Sequence, residues 1–280
     1  MGSTKANLSR AVARLEKTLA TKLLNRSTRK LGLSEAGRAI FQHATHMVEQ
    51  AQAIEALAAG MQAGPGGLLR VSASMAFGNT HLAGLLPEFM ERYPDIRVVL
   101  TMTDRYVDLV EEGIDVALRF ASRIDMQSAV ARPLAPLRYV LAAAPSYLGK
   151  HGVPAGLEDL PRHRCLTFGT TGAPASWEFE AGGERARVKV DGVMSANSSP
   201  SLRLAMLRGG GIALLPTFVV GEDIRRGEAV QLLPHIVPIG TFGDRIYAVY
   251  LENRFLPPKV RVFIDYLVER IGERPYWDAF

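Results

Sequence analysis

The 280-residue sequence contains a single cysteine, Cys165. No intrachain disulfide can form and no thiolate metal cluster can be built, which suits a reducing cytoplasm. No apolar run approaches the roughly 18 residues that cross a bilayer, so no membrane partner is expected. The first residues lack the charged-then-apolar pattern of a secretory signal. The six histidines show neither H-x-x-x-H nor H-E-x-x-H spacing. His43 and His46 stand three apart on a helix and are expected to face solvent. A G-x-S-x-G elbow, a P-loop and a G-x-G-x-x-G turn are all missing. These absences argue against an enzyme, and the sequence calls for no metal and no cofactor.

What is present is unevenly distributed. Residues 1–40 hold nine Lys/Arg against Glu16 and Glu35, whereas the other 240 hold 24 Lys/Arg against 26 Asp/Glu. The whole excess of positive charge lies at one end, where its field favours a polyanion such as DNA. A solvated basic face would give the same composition.

Helical spacing joins Leu8, Val12 and Leu15 after an N-cap at Thr4. "LLNRSTRKLGL" reads as two short strands around a polar tip, and Ser34-Glu35 opens the next helix. In that helix Ile40, Ala44, Met47, Ala51, Ile54, Ala58 and Met61 step by 4 and 3 alternately. A strict seven-residue repeat makes a narrow seam suited to pairing with a second helix. "AGPGG" breaks it, as a hinge over 64–67. From residue 68 onward strands alternate with helices: "LLRVSAS", "HLAGLLPEFMERYP", "DIRVVLTMTD", a helix at "YVDLVEEG", then "IDVALRFA". The alternation continues to a last strand, "RIYAVYLE", and a last helix, "PPKVRVFIDYLVERIG". That pattern predicts an α/β body with a mostly parallel sheet covered on both faces.

The motif "LSRAVARLEKTLATKLLNRSTRKLGLSEAG" resembles the recognition helix, wing and linker-helix entry of the LysR-type transcriptional regulators. "LPEFMERYPDIRV", "DLVEEGIDVALR" and "GGGIALLPTFVV" resemble that family's effector domain, most closely in the branch that includes regulators responding to small aromatic or other organic acids. The resemblance covers essentially the whole chain. It implies a winged helix-turn-helix over 1–36, a dimerising linker helix over 37–63, and a two-lobed periplasmic-binding-protein-like domain over 68–280. Lobe I is expected at about 68–139 and 246–280, and lobe II at about 140–245. Family members carry two further helices before the recognition helix, so roughly 25–30 residues are expected to be missing ahead of Met1. An internal start codon or a shortened chain would explain this.

By this resemblance the chain binds double-stranded DNA as a cytoplasmic homodimer or homotetramer. A recognition helix sends its N-terminal residues to base edges, making Lys5, Asn7, Ser9 and Arg10 base-contact candidates. Thr4, Arg26, Thr28, Arg29 and Lys30 suit phosphates and the minor groove. A small organic effector, anionic or aromatic, is expected between the lobes. Polar clusters preceding helices nominate Ser74, Met75, Phe77, Asn197 and Ser198, since helix N-termini attract anions. Strand ends add Thr101, Thr103, Arg119, Phe120, Thr167 and Phe168. Helix capping and core packing would explain the same residue types, and Arg119 could simply pair with Asp115. The rival reading is a ligand-sensing dimer with no DNA binding of its own.

Overall fold

The computed structural model describes residues 5–26, 31–58, 64–123, 129–252 and 256–280. The chain divides into two compact units, 1–64 with 107–114, and 65–106 with 115–280.

In the first unit, α1 (Lys5–Thr18) leads through a turn to a hairpin of β1 (Leu24–Arg26) and β2 (Leu31–Leu33). The strands pair antiparallel with Asn25 opposite Gly32, as the sequence predicts; the tip, 27–30, lies outside the described residues. Glu16 ties helix to hairpin, its carboxylate accepting from the backbone N–H of Leu23 (2.8 Å) and Leu24 (3.1 Å). Ser34 caps α2 (Glu35–Ala58), accepting from the Gly37 N–H at 2.8 Å and donating to the Lys22 carbonyl. Such a cap satisfies first-turn donors that have no helical partner. Along the seam, Ile40 is half-buried, while Ala44 and Met47 are exposed in the single chain. Phe41 and Val48, beside the seam, are exposed too. The side chains of Ala51, Ile54, Ala58 and Met61 lie outside the described set.

The helix expected at "YVDLVEEG" is a single turn. Asp108 accepts from the N–H of Val110 and Glu111, and Glu112 accepts from the N–H of Asp108. This reciprocal cap starts a helix. Gly113, at φ +61°, ends it one turn later, because the left-handed conformation closes helices and glycine adopts it at least cost.

The second unit contains two mixed five-stranded sheets. The first is built from β3 (Gly67–Ala73), β4 (Ile96–Met102), β5 (Val116–Ala121), β6 (Ala129–Pro136) and β15 (Arg245–Leu251), in the order β4-β3-β5-β15-β6. Between β3 and β4 run a helical turn α3 (Met75–Phe77), a wide turn Gly78–Leu82 and α4 (Ala83–Arg92). Helix α8 (Pro258–Arg270) follows β15. Leu69, Val71 and Ala73 alternate along β3 and share one core with Leu82 and Phe89 from the β3–β4 segment and with Val260, Phe263 and Leu267 of α8. The half-buried pair Lys259–Asp115 (3.0 Å) fastens the start of α8 to this sheet, since Asp115 also accepts from the Arg70 N–H.

The second sheet takes β7 (Tyr139–Ala143), β8 (Cys165–Phe168), β11 (Gly192–Ala196), β12 (Ile212–Pro216) and β13 (Val230–Leu232), in the order β11-β8-β12-β7-β13. α5 (Pro145–His151) follows β7, α6 (Ser199–Leu207) follows β11, and α7 (Thr217–Arg225) follows β12. The period of two sorts its residues cleanly. Val140 and Ala142 pack with Leu202, Met206 and Val220 on one face. Leu141 and Ala143 pack with Tyr147, Trp177 and Phe179 on the other. The last two rings belong to β9 (Ala175–Ala181), which with β10 (Glu184–Val190) and β14 (Val237–Ile239) forms a separate antiparallel sheet.

The expectation of a mostly parallel sheet is only half met. β3 runs parallel to β4 and β5, and β8 parallel to β11 and β12. The returning strands β15, β6, β7 and β13 all pair antiparallel. Two neighbouring segments carry the chain between the sheets, one before β7 and one before β15. The Leu137 N–H donates to the Asp244 carbonyl at 2.7 Å, and the Phe242 N–H to the Tyr139 hydroxyl.

Asp223 of α7 is buried, and both its carboxylate oxygens accept from the guanidinium of Arg203 on α6. Replacing Asp223 by Ala leaves that cation without its partner and should cost about 3 kcal/mol. Thermal unfolding should then fall by roughly 6–12 °C. Arg226→Ala, which removes an exposed partner of Glu222, should cost at most about 0.5 kcal/mol; equal losses for the two variants would contradict this account.

Candidate DNA interface and effector site

On α1, Asn7, Ser9 and Arg10 are exposed. Arg10 Nη2 donates to Asn7 Oδ1 at 3.0 Å, so these two base-contact candidates are held together one turn apart. Asn7, Arg10, Arg14 and Thr18 line one groove with Ala11 and Leu15. Leu8 and Leu15 are exposed along the helix, and Leu19 just past its end. Thr4, Thr28, Arg29 and Lys30 lie outside the described residues, as do the side chains of Lys5 and Arg26.

The effector candidates fall into two groups, one on each large sheet. At the C-terminal end of β3, Ser74 caps α3 and accepts from the Phe77 N–H at 3.3 Å. The Met75 N–H donates to the carboxylate of Asp104 at 3.1 Å. An internal acid therefore already occupies the positive end of this helix. Met75 itself is exposed. Thr103, after β4, donates its N–H to the Ala73 carbonyl and its Oγ1 accepts from Arg105. Phe77 is fully buried, its ring meeting Phe120, Phe218 and Trp277 edge-on at 5.7–6.1 Å. It is a core residue with no face left for a ligand.

Arg119 and Phe120 cannot serve one pocket from one strand, because successive side chains point to opposite faces. Phe120 packs beside Leu118 against the core. Arg119 lies on the other face, donating to the hydroxyl of buried Ser72 at 2.8 Å and to the Leu118 carbonyl. Thr101 is opposite Ser72 in register and shares that face. Asp115, the alternative partner considered for Arg119, is engaged by Lys259 instead.

On the second sheet, the buried Thr167 hydroxyl is 2.7 Å from that of Ser195 on β11. This pair is part of the sheet's packing. Phe168, next along β8, is exposed and its ring meets Phe242 at 4.8 Å. Asn197 is exposed, and Ser198 caps α6, accepting from both the N–H and the hydroxyl of Ser201. Phe242 joins the two groups: it touches Phe168 on one side and Phe120, at 6.4 Å, on the other. Its place in the second crossover segment left no sequence signal. Asp104 and Ser195 were missed similarly, since their partners come from distant strands.

Cys165 is fully buried, and burial pushes its thiol up to about 12. The thiolate that oxidation requires is thus suppressed, and Cys165 serves the packing of the second sheet. Among the described residues, no group of three His, Cys, Asp or Glu is placed to hold a metal.

His81 is the site neighbour that sequence reasoning passed over. Its Nε2 lies 2.7 Å from the Phe218 carbonyl and its Nδ1 2.6 Å from the Tyr276 hydroxyl. A carbonyl only accepts, so Nε2 carries the proton and Nδ1 accepts from Tyr276. Burial lowers the His81 pKa, with the bond to Phe218 opposing in part. Burial also raises that of Tyr276, which stays neutral. The folded chain thus holds the His81 proton more weakly than the unfolded chain, whose histidine titrates near 6.5. Stability contributed by neutral His81 is complete above that value and is lost as pH falls through it toward the lowered one. Thermal unfolding at about pH 7.5 and about pH 5.5 should show a larger acid loss for the wild type than for His81→Gln. Equal losses would sink this assignment.

Two family profiles match this chain in order. "Bacterial regulatory helix-turn-helix protein, lysR family" covers residues 1–38, and "LysR substrate binding domain" covers 62–272. The probable HTH-type transcriptional regulator LtrA of Klebsiella pneumoniae is 36% identical over 270 residues, covering 96% of this chain and 87% of that protein. The HTH-type transcriptional activator TtdR of Escherichia coli K12 is 34% identical, covering 98% and 88%. Among solved structures, CrgA, a LysR-type transcriptional regulator from Neisseria meningitidis, matches with TM-score 0.67 and 35% identity, covering 96% of this chain and 90% of that one. With one profile over each part and relatives matched over nearly the whole chain, the chain belongs to the family of LysR-type transcriptional regulators.

Proposed function

We propose that this chain regulates transcription by reading double-stranded DNA through α1 and the β1–β2 hairpin while an organic effector binds at the facing ends of its two large sheets. One observation carries the effector reading. The C-terminal ends of the parallel strands β3 and β11 each lead straight into a serine-capped helix, and ligands in α/β sheets gather at such ends. The internal carboxylate of Asp104 on the Met75 N–H disfavours a second anion there. The α6 end, with exposed Asn197, is the better seat for an effector carboxylate. Phe168, exposed and opposite Ala196 in register, and Phe242, which its ring meets, offer an aromatic surface beside it. An aromatic acid therefore fits better than a small aliphatic one. Pairing of two chains along α2 is supported by the exposed Phe41, Met47 and Val48, a surface that a second copy would cover. A dimer would set two α1 helices at a fixed spacing on DNA.

For DNA, binding of the chain to duplexes should weaken linearly with log salt, because each neutralised phosphate releases counterions. Arg14→Ala should lower that slope by about one and weaken all sequences alike, whereas Arg10→Ala should change preference at one base position. Salt-independent binding, or none, would favour the ligand-sensing dimer without DNA function.

For the effector, calorimetric titration with benzoate and ring-substituted benzoates is the direct probe. A saturable heat should appear and Asn197→Ala should weaken it about tenfold. Heat unchanged by that substitution, or absent across the series, rejects this assignment.

A further inference from the structure

Helix α7 follows a strand of the second sheet but serves both cores. Val220 packs under the second sheet, with Val140 and Leu215. Phe218 and Val219, its neighbours, pack into the core of the first. The segment Pro275–Phe280 closes over this helix. Gly221 lies so near it that a Cβ there would be 2.0 Å from the Trp277 carbonyl oxygen. The Trp277 ring lies 4.4 Å from the His81 ring, and the Tyr276 hydroxyl bonds His81 Nδ1. His81 holds α7 directly through the Phe218 carbonyl.

The same segment reaches both crossovers between the sheets. Asp278 pairs with Arg138, which precedes β7 and whose carbonyl accepts from the Thr217 N–H of α7. Glu273, just ahead of the segment, pairs with Arg245 at the start of β15 (3.1 Å). A short stretch of chain thus grips the shared helix, the start of the β3–β4 helical segment and both connecting strands. These are the elements that must rearrange together if the angle between the sheets changes.

We infer that Pro275–Phe280 is a clasp across the hinge, with His81 as its pin, and that the Tyr276–His81 bond sets the balance between two angles of the sheets. The closed arrangement holds while Tyr276 donates to His81 and Trp277 lies on Gly221. Loss of the bond frees α7 to move with the second sheet, at the cost of the contacts that Phe218 and Val219 make in the first core. Its use in effector response rests on the regulator reading above; the clasp itself does not.

The test needs neither effector nor DNA, so its failure is distinct from failure of that reading. Spin labels at Glu91→Cys on α4 and Lys150→Cys on α5, both exposed positions, report the distance between the two sheets' helices; the buried Cys165 does not compete for label. Tyr276→Phe removes one hydroxyl and keeps the ring. It should raise the population of a second distance about three- to tenfold over the parent. Amide exchange in α7 should rise by a similar factor while β3 and β12 keep their protection. An unchanged distance distribution overturns the clasp. So does a uniform rise in exchange across all strands, which would make Tyr276 a general stability residue. His81→Leu, which removes both the acceptor for Tyr276 and the donor to the Phe218 carbonyl, should reproduce or exceed the Tyr276→Phe shift; a parent-like distribution in that variant also overturns the inference.

Discussion

The structure depends on one constraint: α7 must be buried in two places at once. A nine-residue helix with Phe218 and Val219 in one core and Val220 in the other has no exposed apolar stripe of the ordinary kind. Tight packing on both sides forbids it from sliding without opening a cavity somewhere. The polar contacts around it follow from that confinement. Asp223, drawn into the interior by the helix, has both its carboxylate oxygens met there by Arg203. Gly221 is needed because a neighbouring backbone occupies the space of its side chain. The His81–Phe218 bond adds a side-chain donor to a carbonyl in the first turn of the helix.

The order of elements was legible because each is locally encoded. The heptad steps of α2, the alternation in β3 and β12, and the caps at Ser34, Ser74 and Ser198 all act within a few residues. Pairing across long sequence separation was not. β15 lies between β5 and β6, more than 100 residues from either, and nothing in its own sequence states that it runs antiparallel. In the separate sheet only β14 joins from a distance; β9 and β10 form a hairpin across Gly182-Gly183, a local turn signal that sequence reasoning passed over. The false helix at 106–113 has the opposite cause. Its capping residues are real helix signals, and only the left-handed Gly113 stops the helix one turn later.

The candidate site divides along the same line. Ser74 and Ser198 were recognisable because a cap before a helix is a local motif. Thr167 and Phe77 were nominated for their position at a strand end or in a polar cluster, and burial assigns both to packing. Arg119 and Phe120 were each nominated for their place at a strand end, and strand geometry sends them to opposite faces. Asp104 was passed over because its partner, Met75, lies 29 residues away. It nevertheless alters the chemistry more than any of the residues named, since it changes a helix end suited to anions into one already neutralised.

That neutralisation bears on how one chain keeps two kinds of anion recognition apart. The basic excess lies entirely in the first 40 residues, where exposed side chains on α1 act through a field that salt screens within about 10 Å. In the ligand-binding body positive groups are consumed internally: Arg203 by Asp223, Lys259 by Asp115, and the α3 end by Asp104. A polyanion therefore finds its charge at one end of the chain and little to hold it elsewhere. A small acid must depend on short-range donors and aromatic contact at the α6 end, which screening affects little. Salt should consequently separate the two recognitions, because one is summed over many exposed charges and the other is made at a single partly desolvated seat.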